Sequence, residues 1–362
     1  MLAVMTDKTK NRLRGLHIMA ALIVLCLVLS GCLGPDKAGS LTEKGMEALE
    51  NKDVQTALAD FEQALANGEP AVAALRGEGL AYMAMARYDN AIEKLQEALA
   101  ATDDRMPKTR DDLRMYLVSA LQRAGRYDEV LETAELITAG ETIAEVCYFK
   151  GAACLKKGDT DEARTYFDKA IALLPRDYSL YLQIYETYED CMLTAVGDEY
   201  LQTALSIIPS SDEDYYRVGQ IYYYLERYDD ARNVLDTPVE HGYAPAIALL
   251  GEVYLSAGDY THAEAVFEEI MLQNTDDPAV YNGLALCAIS AGKYDQALSY
   301  IEQGLALEGE DDKQQLQFNE IVAYEKKLDF STAFTKAEAY CALYPTDTDA
   351  MKELEFLRTR VR

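Results

Sequence analysis

The sequence predicts an all-α fold, a solenoid of about nine stacked helix-turn-helix units, and three observations lead there. First, Ala57, Ala91, Ala163, Ala231, Ala263, Ala297 and Ala333 recur in one frame, completed by Val130 and Gly197, with steps of 34, 39, 33, 34, 34, 32, 34 and 36 residues. Second, residue size repeats around these anchors. A small residue stands twelve positions before (Gly45, Gly79, Gly151, Gly219, Gly251, Ala285) and a large apolar one four positions after (Phe61, Leu95, Phe167, Leu201, Leu235, Phe267, Ile301). Third, Pro175, Pro209 and Pro345 close three units, where a helix must stop. A fixed period in this range marks units that cannot bury their apolar faces alone and must stack.

Each element follows from the frame. Two antiparallel helices approach closely only where the crossing residues are small, so Gly or Ala of the first helix is expected to face the anchor Ala of the second. Large side chains then fill the grooves around that contact, because interiors are close-packed. Between the helices, Ala-Gly-Arg-Tyr (124–127), Lys-Gly-Asp-Thr (157–160), Ala-Gly-Asp-Tyr (257–260) and Ala-Gly-Lys-Tyr (291–294) supply a turn glycine at a helix C-terminus. Aromatics sit three positions before six anchors: Tyr88, Tyr127, Tyr228, Tyr260, Tyr294 and Phe330.

On these residues the chain resembles tetratricopeptide repeat proteins, whose 34-residue helix-turn-helix unit carries small, aromatic and proline positions at such offsets. The resemblance implies a right-handed superhelical solenoid. It frames nine units over 38–347, starting near 38, 72, 111, 144, 178, 212, 244, 278 and 314, with an amphipathic capping helix at 348–362. Three units depart from the pattern. Val118 and Val130 replace small residues in the third, Tyr185 and Gly197 in the fifth, and Ile321 and Tyr340 stand in the ninth. Pro238 is expected to truncate the second helix of the sixth.

The N-terminus carries a separate signal. Lys8, Lys10, Arg12 and Arg14 precede an apolar run from Ile18 to Leu29, a length that suits a secretory leader and falls short of a membrane-spanning helix. The run ends in Leu29-Ser30-Gly31-Cys32, which resembles the lipobox of bacterial lipoprotein precursors. That resemblance implies a cleaved leader at 1–31, lipidation of Cys32, a short linker at 32–37, and anchorage on the extracytoplasmic face of a bacterial membrane. With so short a linker, the N-terminal end of the solenoid is expected near the membrane and the rest is expected to project outward.

Charge bounds the partners. The chain carries a net charge of −28, which becomes −31 once the leader, with four basic residues and one acidic, is removed. Such a surface repels nucleic acid and phospholipid headgroups, so membrane attachment must come through lipid on Cys32. A basic protein or peptide is electrostatically favoured. Cys147, Cys154, Cys191, Cys287 and Cys341 fall on predicted helices in neither a disulfide nor a metal spacing.

No catalytic motif emerges. His17, His241 and His262 are the only histidines, and no HExxH, phosphate-loop, GxSxG or dinucleotide pattern occurs. The acidic runs 211–214 and 308–312 lack the ligand order of a calcium loop. A non-catalytic interaction scaffold without cofactor or metal is therefore expected.

The family resemblance implies a concave groove lined by the first helices. Carried onto this chain, the groove positions include Arg76, Leu80 and Met83; Asp112, Met115, Ser119 and Gln122; Glu145, Tyr148, Ala152 and Leu155; Glu213, Tyr216, Gln220 and Tyr223; and Ala279, Asn282, Leu286 and Ile289. Arg76, Met83, Met115, Tyr148, Tyr216, Gln220 and Tyr223 are the expected partner contacts, since aromatic and amide groups suit an extended peptide or helix. Tyrosine is abundant, with 26 against eight Phe and no Trp, and clusters at 215, 216, 222, 223 and 224. A tyrosine-lined groove that holds an envelope glycan or another non-protein ligand is the alternative.

Overall fold

The computed structural model describes residues 40–273, 277–307, 313–345 and 347–361. The leader, Cys32 and the linker lie outside them, as does the 308–312 acidic run. The described residues contain nineteen α-helices and no strand. They fall into two compact units that meet in sequence at Ala204–Leu205.

The N-terminal unit stacks five hairpins. These are α1 (Leu41–Glu50) with α2 (Val54–Ala66), α3 (Ala71–Ala84) with α4 (Tyr88–Ala100), α5 (Pro107–Arg123) with α6 (Tyr127–Glu135), α7 (Ile143–Lys157) with α8 (Thr160–Leu173), and α9 (Tyr178–Glu189) with α10 (Thr194–Ala204). The C-terminal unit stacks four more: α11 (Asp212–Tyr224) with α12 (Tyr228–Glu240), α13 (Ala244–Ser256) with α14 (Tyr260–Gln273), α15 (Pro278–Ser290) with α16 (Tyr294–Ala306), and α17 (Lys313–Lys326) with α18 (Phe330–Leu343). The single helix α19 (Thr348–Arg358) packs against α18.

Local chemistry sets the helix ends. Side-chain oxygens of Ser40, Asp53, Asp177, Ser211, Asp277, Asp329 and Asp347 accept from backbone N–H groups in the first turn of the helix each precedes. Each first helix ends in a residue with left-handed backbone. Gly125, Gly158, Gly258 and Gly292 fill this position in four hairpins, and Lys52, Ala86, Met192, Glu226 and Leu328 in the other five. α12 runs through Pro238 to Glu240 instead of stopping short. The proline lies in its last turn, so the one backbone bond it forgoes and any kink fall at the helix end, and its ring is buried in the core.

The two helix rows differ in kind. α15 is buried at every residue from Ala279 to Ile289, whereas α12 buries only Ala231, Leu235 and Pro238. A helix apolar on all sides belongs inside, and one with a single apolar stripe lies on the surface. Within each unit, first helices from α3 onward are the more buried row and second helices the outer one, while the terminal α1 buries only Thr42 and Gly45. All nine anchors are buried, from Ala57 to Ala333.

The small residues of the first helices lie nearest to a large side chain and not to the anchor alanine, although Gly79 also comes near the Ala91 carbonyl. A Cβ added to Gly45 would lie 2.6 Å from the Phe61 ring, at Gly79 2.8 Å from Leu95, and at Gly151 2.7 Å from Phe167. At Gly219 it would lie 2.6 Å from Leu235, and at Gly251 2.9 Å from Phe267. The glycine thus makes room for the large side chain four positions after the anchor. Phe61 is held from both sides, because a Cβ on Gly77 of the next hairpin would reach 2.4 Å from it. Gly283 closes on Phe267 in the same way, at 2.5 Å. The fifth hairpin inverts the size relation. Tyr185 occupies the first helix, and Gly197 of the second leaves space for it, with a hypothetical Cβ 3.0 Å from its ring.

Two predictions follow from this packing. Gly151→Leu is expected to destabilise the N-terminal unit by about 1–3 kcal/mol, the usual cost of overpacking. Ala279→Leu, at a position that the family pattern assigns to the groove, is expected to cost a comparable amount because Ala279 is only 3% exposed. Urea unfolding of both variants checks this, and a neutral Ala279→Leu would contradict it. At the C-terminus, burial pushes the Glu353 carboxyl up to about 7, with the charge of Glu325 adding to the shift. Between the ordinary carboxylate value and about 7, the folded chain keeps a proton that the unfolded chain has lost. This group's contribution to stability therefore falls as pH rises through that window. Glu353→Gln is expected to be more stable than the parent at about pH 8 and to lose that advantage near pH 4.

Candidate partner-binding surface

The structure places the expected groove residues on first helices and buries most of them. Met83 is on α3, Met115 on α5, and Tyr216, Gln220 and Tyr223 on α11, none more than 8% exposed. Tyr148 on α7 and Arg76 on α3 keep partial exposure. The expectation of an open row of contacts is corrected at the five buried positions, because successive first helices pack against one another and consume those side chains.

Hydrogen bonds between these helices form a ladder within each unit. Arg76 of α3 donates to Asp112 of α5 at 3.1 Å, and the Tyr148 hydroxyl of α7 lies 3.1 Å from Thr187 Oγ1 of α9. In the C-terminal unit, Ser256 of α13 donates to the Tyr223 hydroxyl of α11 at 3.2 Å. Asn319 of α17 donates to Asn282 of α15 at 2.6 Å, and Asn282 donates to Gln315 at 3.1 Å. Within α11, Gln220 donates to the Tyr216 hydroxyl at 2.9 Å. Burial pushes the Tyr148 phenol up to about 12 and raises those of Tyr216 and Tyr188. These hydroxyls therefore stay neutral and able to donate.

The tyrosines are mostly structural. Phe167 packs among Tyr148, Tyr188 and Tyr200, with ring centroids 6.0, 5.5 and 6.3 Å away, and Tyr200 donates to Asp168 at 3.0 Å. In the 215–224 cluster, Tyr216, Tyr223 and Tyr224 are buried, while Tyr215 and Tyr222 are half-buried. The Arg227 guanidinium stands 4.7 Å over the Tyr222 ring. With Tyr216 and Tyr223 buried, the tyrosine surface that a glycan groove requires is not formed there.

Besides the outer faces of the second helices, the two edges of each stack are open. One edge holds the turns inside each hairpin, where a basic-Tyr-Asp triplet recurs at 87–89, 126–128, 227–229 and 293–295. The sequence reading noted the Gly and Tyr of these turns but missed the triplet, which was the available signal. In three of the four its Asp pairs with a basic residue of the next hairpin's turn, while Asp229 pairs with Arg232 of its own helix. Asp89 lies 3.9 Å from Arg126, Asp128 is 2.6 Å from Lys157, and Asp295 is 2.5 Å from Lys327. In the C-terminal unit this edge carries two clefts. One of about 750 Å³ lies between the α11–α12 and α13–α14 turns and is lined by Glu226, Arg227, Tyr228, Asp229 and Asp259 among others. The other, of about 450 Å³, lies between the α15–α16 and α17–α18 turns, lined by Lys293, Tyr294, Asp295, Lys326 and Lys327 among others. Aromatic, cationic and acidic groups converge in both, a chemistry suited to protein side chains.

The opposite edge holds the connections between hairpins and is tied by carboxylates. Glu69 accepts from the Leu41 N–H at 2.8 Å, the Thr42 N–H at 3.1 Å and the Thr42 hydroxyl at 2.7 Å, bonds that hold its pKa below the usual range. Asp111 accepts from the N–H groups of Thr138 and Ala139 at 3.0 and 2.9 Å. Burial opposes its ionisation, yet these bonds keep its pKa low. His241 pairs with Asp212 at 2.7 Å, and Tyr340 donates to Asp347 at 2.7 Å. Of the acidic run at 211–214, Ser211 caps α11 and Asp214 accepts from Ser210.

Tetratricopeptide repeat models match residues 42–105, 144–177, 216–278 and 254–317, together more than half of the chain. The chain belongs to the tetratricopeptide repeat family. Among solved structures, a tetratricopeptide repeat protein from Parabacteroides merdae is 16% identical, with a TM-score of 0.51 over 81% of this chain and 99% of its own. Pseudomonas aeruginosa PilF is 20% identical over 59% of this chain and 96% of its own, at a TM-score of 0.39. PilW, described as a type IV pilus biogenesis factor, is 17% identical over 59% and 98%, at 0.45. The likeness to the Parabacteroides merdae protein speaks to fold alone. A search of curated proteins found no match. Tetratricopeptide repeats generally mediate protein–protein interaction, and the family is typically non-catalytic.

Tyr223 and Tyr222 separate packing from recognition. Tyr223→Ala is expected to cost about 3–5 kcal/mol of stability, as for a fully buried aromatic. Tyr222→Ala is expected to cost about 1 kcal/mol, from a lost half-exposed ring and its cation. Denaturant midpoints decide, and equal losses would contradict the burial assigned to Tyr223.

Proposed function

We propose that this tetratricopeptide repeat protein is a non-catalytic, lipid-anchored interaction scaffold on the extracytoplasmic face of a bacterial membrane, where it holds a protein or peptide partner. The anchoring rests on the positive residues, apolar run and lipobox that end at Cys32. No helix among the described residues is long and apolar enough to cross a membrane. The observation that carries the binding role is the pair of clefts on the hairpin-turn edge of the C-terminal unit. They recur at equivalent turns, they are built on short rigid connections, and Asp229 and Asp295 stand at their rims with side chains 86% and 88% exposed. At the α11–α12 cleft, where Glu226, Asp229, Asp230 and Asp259 outnumber Arg227 and Arg232, the rim attracts a basic partner and accelerates its approach. The α15–α16 cleft, with Lys293, Lys326 and Lys327 against Asp295, takes an acidic group of the same partner. Burial of Tyr216 and Tyr223 removes the support for a glycan in a tyrosine-lined groove.

Affinity purification from detergent-solubilised membranes tests the reading. A stoichiometric protein partner is expected, held less tightly as salt is raised. Asp229→Lys/Asp230→Lys is expected to weaken it at least about tenfold, while stability changes by no more than about 1 kcal/mol for each exposed pair removed. Cys32→Ser is expected to lose fatty-acid labelling and membrane association. Undiminished affinity in the double variant would contradict the cleft assignment, and unchanged membrane partition in Cys32→Ser would contradict the anchor.

A further inference from the structure

We infer that the N-terminal unit lies with its inter-hairpin edge down on the lipid surface, not upright on its N-terminal end, and that an apolar row on this edge touches the membrane. The inference rests on the lipid anchor proposed above and adds the orientation of the solenoid.

Six large hydrophobic residues are exposed among the described residues of this unit, and five of them share one edge: Met106, Leu136, Ile143, Leu173 and Leu174. Met106 precedes α5, Leu136 ends α6, Ile143 opens α7, and Leu173 and Leu174 end α8. The sixth, Met192, stands on the opposite edge in the α9–α10 turn, 93% exposed. Singly scattered apolar residues need no explanation, but a five-to-one segregation onto one edge of a strongly acidic chain does.

The chain itself says what faces that edge. Glu69, in the connection after α2, bonds the N–H groups that open α1, so the polypeptide enters the fold on this edge at Ser40. From Cys32 to Ser40 an extended chain reaches at most about 29 Å. Lipid on Cys32 would therefore hold this edge close to the bilayer. Upright, only the connection beside α1 would meet the surface. Lying edge-down, the connections of successive hairpins meet it together, and these bring Met106, Leu136, Ile143 and the Leu173–Leu174 pair. Four acids on this edge are paired or bonded within the fold. Asp103 pairs with Arg105 at 2.9 Å and Asp104 with Arg110 at 2.8 Å, while Glu69 and Asp177 bond to the helix starts of α1 and α9. Apolar side chains at an interface sink into the boundary between headgroups and acyl chains, which needs no basic patch.

The chain has no Trp, so one introduced Trp reports its own surroundings. Full-length lipidated protein carrying Leu173→Trp, and separately Met192→Trp, would be reconstituted into vesicles of phosphatidylethanolamine and phosphatidylglycerol, with and without brominated acyl chains. Both substituted side chains are more than half exposed, which leaves the fold undisturbed. The expected result is a shift to shorter wavelength for Leu173→Trp and loss of about half its emission to the brominated lipid, at a depth within about 10 Å of the interface. Met192→Trp is expected to be unchanged. Protein that floats with the vesicles while the two positions behave alike overturns the edge-down placement and leaves the anchor standing. Protein that does not float overturns the anchor, and the placement with it. A shift at position 173 that follows protein concentration and not lipid assigns the edge to a second copy, which also overturns the placement.

Discussion

A large side chain clamped between two glycines is the interaction on which the rest of this structure depends. Phe61 fills the space left by Gly45 of its own hairpin and Gly77 of the next, and Phe267 does the same between Gly251 and Gly283. A Cβ at any of the four would come within 3.0 Å of the ring, closer than carbon atoms tolerate. The clamp sets the approach of helices within a hairpin and between hairpins in one stroke. A hairpin on its own would leave half of the ring uncovered, which is the physical reason such units occur in stacks.

Close approach of the first helices has a functional consequence. It brings Arg76 to Asp112, Tyr148 to Thr187, Tyr223 to Ser256 and Asn282 to Asn319, so the inner row is spent on holding neighbours together. Buried polar groups that find partners fix one register, because a slip would leave them unsatisfied in a low-dielectric interior. In the proposed reading, recognition falls to the edges, where hairpin turns offer clefts lined by charged and aromatic side chains. The chemistry of the two edges differs. One is built from repeated ion pairs, while in the N-terminal unit the other shows apolar residues beside carboxylates that are already bonded.

The fold was legible in the sequence because its rules are local and repeated. A period, a small residue twelve positions before each anchor and a large one four positions after are visible without any structure. The meaning of the pair was not. Sequence suggested that Gly151 faces Ala163, whereas the structure shows it facing the Phe167 ring, because Cβ direction and helix crossing are not written in spacing. Tyr216 and Tyr223 were chosen on family positions that presume an open groove. How tightly first helices pack depends on the summed geometry of every hairpin, and no single residue announces it. Pro238 misled for a related reason: a proline near a helix end displaces little that follows it, and burial of its ring in the core offsets the bond it forgoes. The clefts were missed although the basic-Tyr-Asp triplet was in plain view, since a charged turn reads as solvated until its neighbour is placed beside it.

A double-mutant cycle on Gly45 and Phe61 tests the clamp most directly. Gly45→Ala and Phe61→Leu each remove one side of the fit, and Leu returns part of the space that the added methyl needs. The account predicts that the double variant is more stable than the sum of the single losses allows, by about 1–2 kcal/mol in urea unfolding, well above the usual scatter of about 0.3–0.5 kcal/mol for independent sites. Additive losses would mean that the glycine and the ring do not constrain one another, and would contradict the clamp as the basis of the stack.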